Sequence, residues 1–182
     1  MLYSFRNREP RIGKETYVSE HALLIGDVRI GDNCYIGHGA ILRGDYGSIE
    51  IESGTAVEEG MVMHAPPDGI CRVGKKVTIG HGAIIHASSI GDFAAIGMGS
   101  VVSIYAVVGE ETIIAEGSIV KLRQRIPSGV VAGGSPAKVL RKITDEDKRF
   151  WGYGKQLYID LAKEYVQNGM QRVNSANEPT SQ

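Results

Sequence analysis

The chain has little cysteine, no excess charge of either sign and no long apolar run. Its 182 residues hold only two cysteines, Cys34 and Cys71. Two thiols do not make a disulfide framework, so a reducing, cytoplasmic setting is expected. Basic and acidic side chains number 20 and 21, for a net charge of -1, which argues against a nucleic-acid surface. No apolar run reaches membrane-spanning length, and the first residues, Met1 to Arg8, lack an apolar signal core. Nucleic acid and membrane are therefore not expected partners. With 42% hydrophobic and 23% charged residues, the chain has the composition of an ordinary soluble domain. Glycine is abundant, at 24, and its placement is ordered.

An aliphatic residue recurs every six places: Ile12, Val18, Leu24, Ile30, Ile36 and Leu42. The register jumps and restarts as Ile51, Val57 and Met63, then again as Val73, Ile79 and Ile85. After a short step it runs from Ile90 through Ile96, Val102, Val108 and Ile114 to Val120. A small or modest residue stands four places after most of these, as at Ala22, Cys34, Ala40, Ala83, Ser100 and Thr112. A helix repeats its apolar face every 3.6 residues and a strand every two, so a period of six fits neither alone. It fits a triangular coil in which each hexad is one flat side and a corner, the aliphatic pointing inward. The fold class expected is an all-β solenoid, a left-handed parallel β-helix of hexapeptide repeats over 1–142. A C-terminal α-helix follows within 143–168, and 169–182 is a polar tail.

The helix is expected over about 145–166. Thr144 precedes Asp145, Glu146 and Asp147, a capping residue followed by acids in the first turn. Phe150, Leu157, Leu161 and Tyr165, with Tyr158 beside them, form an apolar stripe for docking along the solenoid. The segment Asn174 to Gln182 is expected to lack order.

Three histidines exceed what the scaffold needs. Three hexads make one turn, so Ile85 lies above Met63, and His86 lies above His64 at strand spacing of about 4.8 Å. Two neutral imidazoles at that distance can share a metal. His81 follows its aliphatic by two places rather than one, sits on the previous side and points away. A third ligand can still come from His81 of a neighbouring subunit, and three-fold packing of three prisms would supply three equal sites. Three histidines plus water is the open, catalytic form of zinc coordination. If Arg43 to Glu50 is an insertion between hexads, Arg43 falls one turn below His64, and Glu58 falls below the side bearing His81. His21 and His38 read as surface histidines and Cys34 as a small inner-corner residue. Cys71 could approach the site but is not counted among its residues.

From about Pro10 to Tyr165 the chain resembles the gamma-class carbonic anhydrase family. The matching residues are Leu42-Arg-Gly-Asp45, Val62-Met-His64, Val77-Thr-Ile-Gly-His81 through His86, and Ile96-Gly-Met-Gly99. The resemblance implies a homotrimer with a metal shared between adjacent subunits, and His64, His81 and His86 as its ligands. It also implies a subunit-bridging Arg43–Asp45 pair and a site tyrosine on the helix at Tyr158. The chain departs from the family where Glu58 replaces a glutamine and Tyr46 an acid, and the segment after His64 is short, with Asp68 as its only acid. It leans toward the phenylacetate-pathway and carnitine-operon subgroup.

The activity expected is reversible hydration of CO2 to bicarbonate by a metal-bound hydroxide, with Glu58 relaying the proton. Zinc is the expected metal, and Fe(II) and Co(II) also accept imidazole ligands. Three rivals stand beside this one. They are a CoA thioesterase or other hydrolase on the same metal, favoured by a basic cleft near Arg72, Lys75 and Lys76; a metal-free hexapeptide acyltransferase; and an inactive scaffold.

Overall fold

The structure is a computed structural model that describes residues 1–86 and 89–173. Short parallel strands, many of them two residues long, wind into a three-sided prism. The 12-stranded sheet forms two sides and the 8-stranded sheet the third. Each expected aliphatic lies under its counterpart one turn on, as in Leu42↔Met63, Met63↔Ile85 and Ile85↔Val102. Leu24, Ile36, Leu42, Met63, Ile79, Ile85, Ile96 and Ile114 are fully buried and stack along the axis. Burying such a side chain contributes about 1.5–3 kcal/mol, so the column is the main source of stability. The inner corners hold small residues, with Cys34 and Cys71 both buried in the core. Where a corner residue is polar its hydroxyl is bonded: Ser100 donates to the Ala115 carbonyl at 3.0 Å and Thr112 to Pro127 at 2.7 Å.

The first register jump is not a loop. Ile41–Ile51 is one strand of 11 residues that turns from one side of the prism to the next. Ile41 to Arg43 pair with Val62 to His64, and Ser48 to Ile51 pair with Ile70 to Val73. The extra residues stay extended because the previous coil, Leu23–Ile30, runs beside them, with a register shift between Gly26 and Val28. Gly44 is required here, since a Cβ on it would stand 2.4 Å from the Asp27 carbonyl oxygen. The second jump does contain a turn, closed by Gly69 N–H donating to Pro66 at 2.9 Å.

The antiparallel hairpin Val130–Gly133 and Lys138–Lys142 covers the C-terminal end of the prism. The helix then spans Asp145–Asn168, two residues longer than expected. Thr144 and Asp147 form a reciprocal cap, the hydroxyl accepting from Asp147 N–H and the carboxylate from Thr144 N–H. The helix lies on the outward rungs of the 8-stranded sheet, which read Tyr17, Tyr35, Ala56, Thr78, Ala95, Ile113 and Val131 in order of coil. Trp151 packs on Ala95, Ile113 and Val131, whereas Tyr158, Leu161, Ala162 and Tyr165 pack around Tyr17, Tyr35 and Ala56.

The expected docking stripe is therefore half wrong. Leu161 and Tyr165 face the sheet, but Phe150 is 70% and Leu157 49% exposed. Their places are taken by Trp151, Ile159, Ala162 and Lys155, because the small rungs Ala56, Thr78 and Ala95 admit a close approach. No helix among the described residues is long and apolar enough to cross a membrane. The expectation about Asn174 to Gln182 falls outside the described residues.

Candidate metal centre

His64 and His86 end the strands Val62–His64 and Ile84–His86. Parallel pairing sets His86 directly on His64, and His64 on Arg43. The rings stack with centroids 5.0 Å apart and 24° between planes, and His64 Nδ1 faces His86 Nε2 at 3.2 Å. Burial, the Arg43 guanidinium and the mutual repulsion of the pair lower the pKa of His64; burial and Arg43 lower that of His86. Both rings are thus held neutral, the form that ligates metals. Asp45 closes the group, with Oδ2 accepting from Arg43 at 3.0 Å and Oδ1 standing 3.5 Å from His64 Nε2. That last distance is long for a hydrogen bond, and the buried His64 Nε2 makes none among the described residues. Within the single chain Arg43 and Asp45 pair with each other. Arg8 fixes this segment from below by donating to the backbone carbonyls of Asp45, Tyr46 and Gly47.

Beside the histidines runs a column of outward β-branched residues, Ile41, Val62, Ile84, Val101 and Ile119. Val62, Ile84 and Ile119 are exposed.

His81 lies on the side covered by the helix and does not join His64 and His86 within one chain. Among the described residues no group of three or more His, Cys, Asp or Glu could hold a metal ion. His81 instead stands between two carboxylates. Its Nε2 is 3.1 Å from Glu58 Oε2, and its Nδ1 is 2.8 Å from Glu59 Oε2. Its backbone N–H also donates to Glu58 Oε2 at 3.1 Å. Glu58, only 6% exposed, has a raised pKa because burial outweighs the charge of His81 and the hydrogen bond from Tyr158. Glu59 is the opposite case. Burial acts to raise its pKa, but the Tyr35 hydroxyl, donating to Oε1 at 2.6 Å, and His81 bring it below the ordinary value.

Between helix and sheet opens a cavity of about 460 Å³, lined by Glu58, His81, Met98, Trp151, Leu157 and Tyr158 among others. The Tyr158 hydroxyl, expected at the site from its place on the helix, stays protonated because burial and Glu58 raise its pKa. Three residues here were not foreseen. Glu59 was countable, since it follows Val57 by two places as His81 follows Ile79. Tyr35 and Lys155 carried no such signal. Lys155 is 5% exposed, with its amine over Trp151 and without a hydrogen-bond partner among the described residues, and burial lowers its pKa to about 8. Arg72, part of the expected basic cleft, is held by Glu50 at 3.1 Å.

A triangular prism with paired histidines on one face defines a hexapeptide-repeat protein with a candidate metal centre. The family profile "Bacterial transferase hexapeptide (six repeats)" matches residues 9–44. The carnitine operon protein CaiE of Salmonella agona is 39% identical over 88% of this chain and 81% of its own length. Gamma carbonic anhydrase 2, mitochondrial, of Arabidopsis thaliana is 38% identical over 89% of this chain, which spans 60% of that protein. A hexapeptide transferase family protein from Anaplasma phagocytophilum superposes with a TM-score of 0.87 at 36% identity, covering 91% of this chain and 98% of that one. The chain belongs to the hexapeptide-repeat family, in the group that contains the gamma carbonic anhydrases and CaiE.

Proposed function

We propose that the chain is a carbonic anhydrase-like metalloenzyme that interconverts CO2 and bicarbonate, with zinc held by His64 and His86 of one subunit and His81 of the next in a homotrimer. The observation that carries this reading is the stacked, neutral His64–His86 pair, in which the buried His64 Nε2 makes no hydrogen bond among the described residues and the flanking apolar column is exposed in the single chain. Such a donor set suits zinc, and equally Fe(II) or Co(II). When bound, zinc supplies Lewis acidity and lowers the pKa of its water to about 7.

The chain's own residues divide the remaining work. Arg43 keeps the two imidazoles neutral and anchors Asp45 against His64. Glu58 accepts the proton released on CO2 hydration, its raised pKa bringing it toward neutral pH. Tyr158 donates to Glu58 and orients it toward the cavity. Trp151, Leu157 and Met98 give the cavity an apolar wall that suits CO2.

The test is complementation between variants. His64→Ala and His81→Ala chains should each take up little zinc. Trimers refolded from an equal mixture should regain about a quarter of the sites and of the CO2 hydration activity, because one chain in each pairing supplies what the other lacks. No recovery in the mixture would sink the shared site. One observation favours a second reading, hydrolysis of an acyl-CoA thioester on the same metal: a cavity of about 460 Å³ is far larger than CO2 requires. Turnover of acyl-CoA without CO2 hydration, on the same zinc-loaded sample, would select it.

A further inference from the structure

We infer that Tyr35 and Glu59 are positioning residues for His81, fixing its proton on Nδ1 and leaving Nε2 as the lone-pair nitrogen at the cavity. The inference rests on the reading of His81 as a metal ligand, and it concerns two residues to which that reading gives no role.

The three groups form an unbroken chain across three successive coils. The Tyr35 hydroxyl donates to Glu59 Oε1 at 2.6 Å, and Glu59 Oε2 stands 2.8 Å from His81 Nδ1. Both links are short, as expected for hydrogen bonds to an ionised acceptor. The scaffold is shaped to permit them. Tyr35 and Ala56 are paired rungs, so Tyr35 stands one coil below the strand that leads to Glu59. Ile79 pairs with Val57, which brings His81 above Glu59 at the same two-place offset. Gly37 leaves room for the carboxylate, because a Cβ there would stand 2.7 Å from Glu59 Oε1.

Tyr35 is itself immobilised. It is 3% exposed and packs against Tyr17, Tyr158 and Tyr165. Its hydroxyl therefore serves Glu59 from a fixed point, and Glu59 in turn presents one oxygen to His81. Each ring nitrogen faces a carboxylate, Nδ1 that of Glu59 at 2.8 Å and Nε2 that of Glu58 at 3.1 Å. The Glu59 contact is the shorter, and Glu58 Oε2 already accepts from the His81 backbone N–H, so Nδ1 is the donor and Nε2 is the nitrogen able to ligate. Outer partners of this kind orient a ligating ring and strengthen its basicity.

The experiment uses the full chain with Glu59→Gln and Tyr35→Phe, and a thermal melt establishes that each variant folds. Long-range 1H–15N NMR of the metal-free protein at pH 8 reads the tautomer of His81. The wild type should show the proton on Nδ1, and Glu59→Gln should move it largely to Nε2. Zinc affinity, measured by chelator competition, should weaken by roughly 10- to 100-fold in Glu59→Gln, with a smaller loss in Tyr35→Phe. An unchanged tautomer together with zinc affinity within about twofold of wild type in both variants would overturn the inference. If the wild type takes up no zinc, the metal-site reading fails, while the NMR of the metal-free chain still decides this one.

Discussion

The face that carries His64 and His86 and the face that carries His81 are built from the same hexad and finished differently. On the first, strands are exposed, the imidazoles are neutral and the nearest acid, Asp45, is taken up by Arg43. On the second, the helix lies over the sheet, and His81 sits between two glutamates that two tyrosines hold in place. The first face has two stacked imidazoles and its acid is paired; the second has two glutamates, two tyrosines and a single histidine. A scaffold whose rungs repeat every turn stacks like on like, so one face readily gathers one kind of group. On the proposed reading, a second copy of the prism brings both kinds together.

That division can be broken from either side. The largest effect is expected from His86→Ala, which removes half of the stacked pair and should weaken zinc binding more than ~100-fold, beyond any loss of an outer partner. Retention of one zinc per chain, by metal analysis after gel filtration, would show that the pair is not the centre. Next comes Glu58→Gln, expected to slow CO2 hydration by about 100-fold, the lower range for a general base. Its pKa is raised, so wild-type activity should fall on the acid side at a higher pH than an ordinary carboxylate would give, and the variant should lose that limb. Equal activity at every pH, at matched zinc content, would remove Glu58 from the chemistry.

Lys155 sharpens the comparison through stability. Its pKa falls from 10.5 to about 8 on folding, so the unfolded chain binds more protons between those values and stability rises with pH across that window. Below pH 8 the buried charge costs at most about 3 kcal/mol. Lys155→Met should raise the melting temperature at pH 7 by several degrees, and the gain should vanish by pH 11. A variant no more stable than wild type at pH 7 would mean the ammonium is solvated. The smallest effect belongs to Arg43→Ala. The guanidinium lowers both imidazole pKa values, so its loss should raise them, and zinc affinity should drop several-fold at pH 6 and little at pH 8. Histidine titration by NMR checks the sign.

Much of this was legible in the residues because the repeat is a counting device. Each aliphatic from Ile12 to Val120 marks one side of the prism, and counting by three put His86 on His64 and Arg43 beneath them. The same counting reaches Glu59, two places after Val57 as His81 is two places after Ile79. The segment Arg43 to Glu50 looks like an insertion by counting, but the strand Leu23–Ile30 pairs with it on both sides of a register shift and keeps it extended. The helix face was least legible. Several faces of Asp145–Asn168 carry apolar side chains, and only the sheet beneath decides between them. Ala56, Thr78 and Ala95 leave a shallow trough that accepts Lys155 and Ala162, so Phe150 and Leu157 turn outward to the cavity and its rim.

The rungs under that helix also set a length. An α-helix advances 5.4 Å per turn and stacked strands about 4.8 Å per coil, so the two scales drift apart by about 0.6 Å at each step. Trp151 and Tyr165 are about 21 Å apart along the helix, and they meet rungs separated by a similar distance, from Ile113 back to Tyr17 and Tyr35. The helix and the prism act as the two scales of a vernier, aligned in one setting. Adding or deleting a coil between those contacts would put Trp151 or Tyr165 over the wrong rung, whereas a coil added before Tyr17 would leave the match intact. The helix is thus a ruler for the solenoid: it allows the prism to grow at one end and fixes the number of coils across the site.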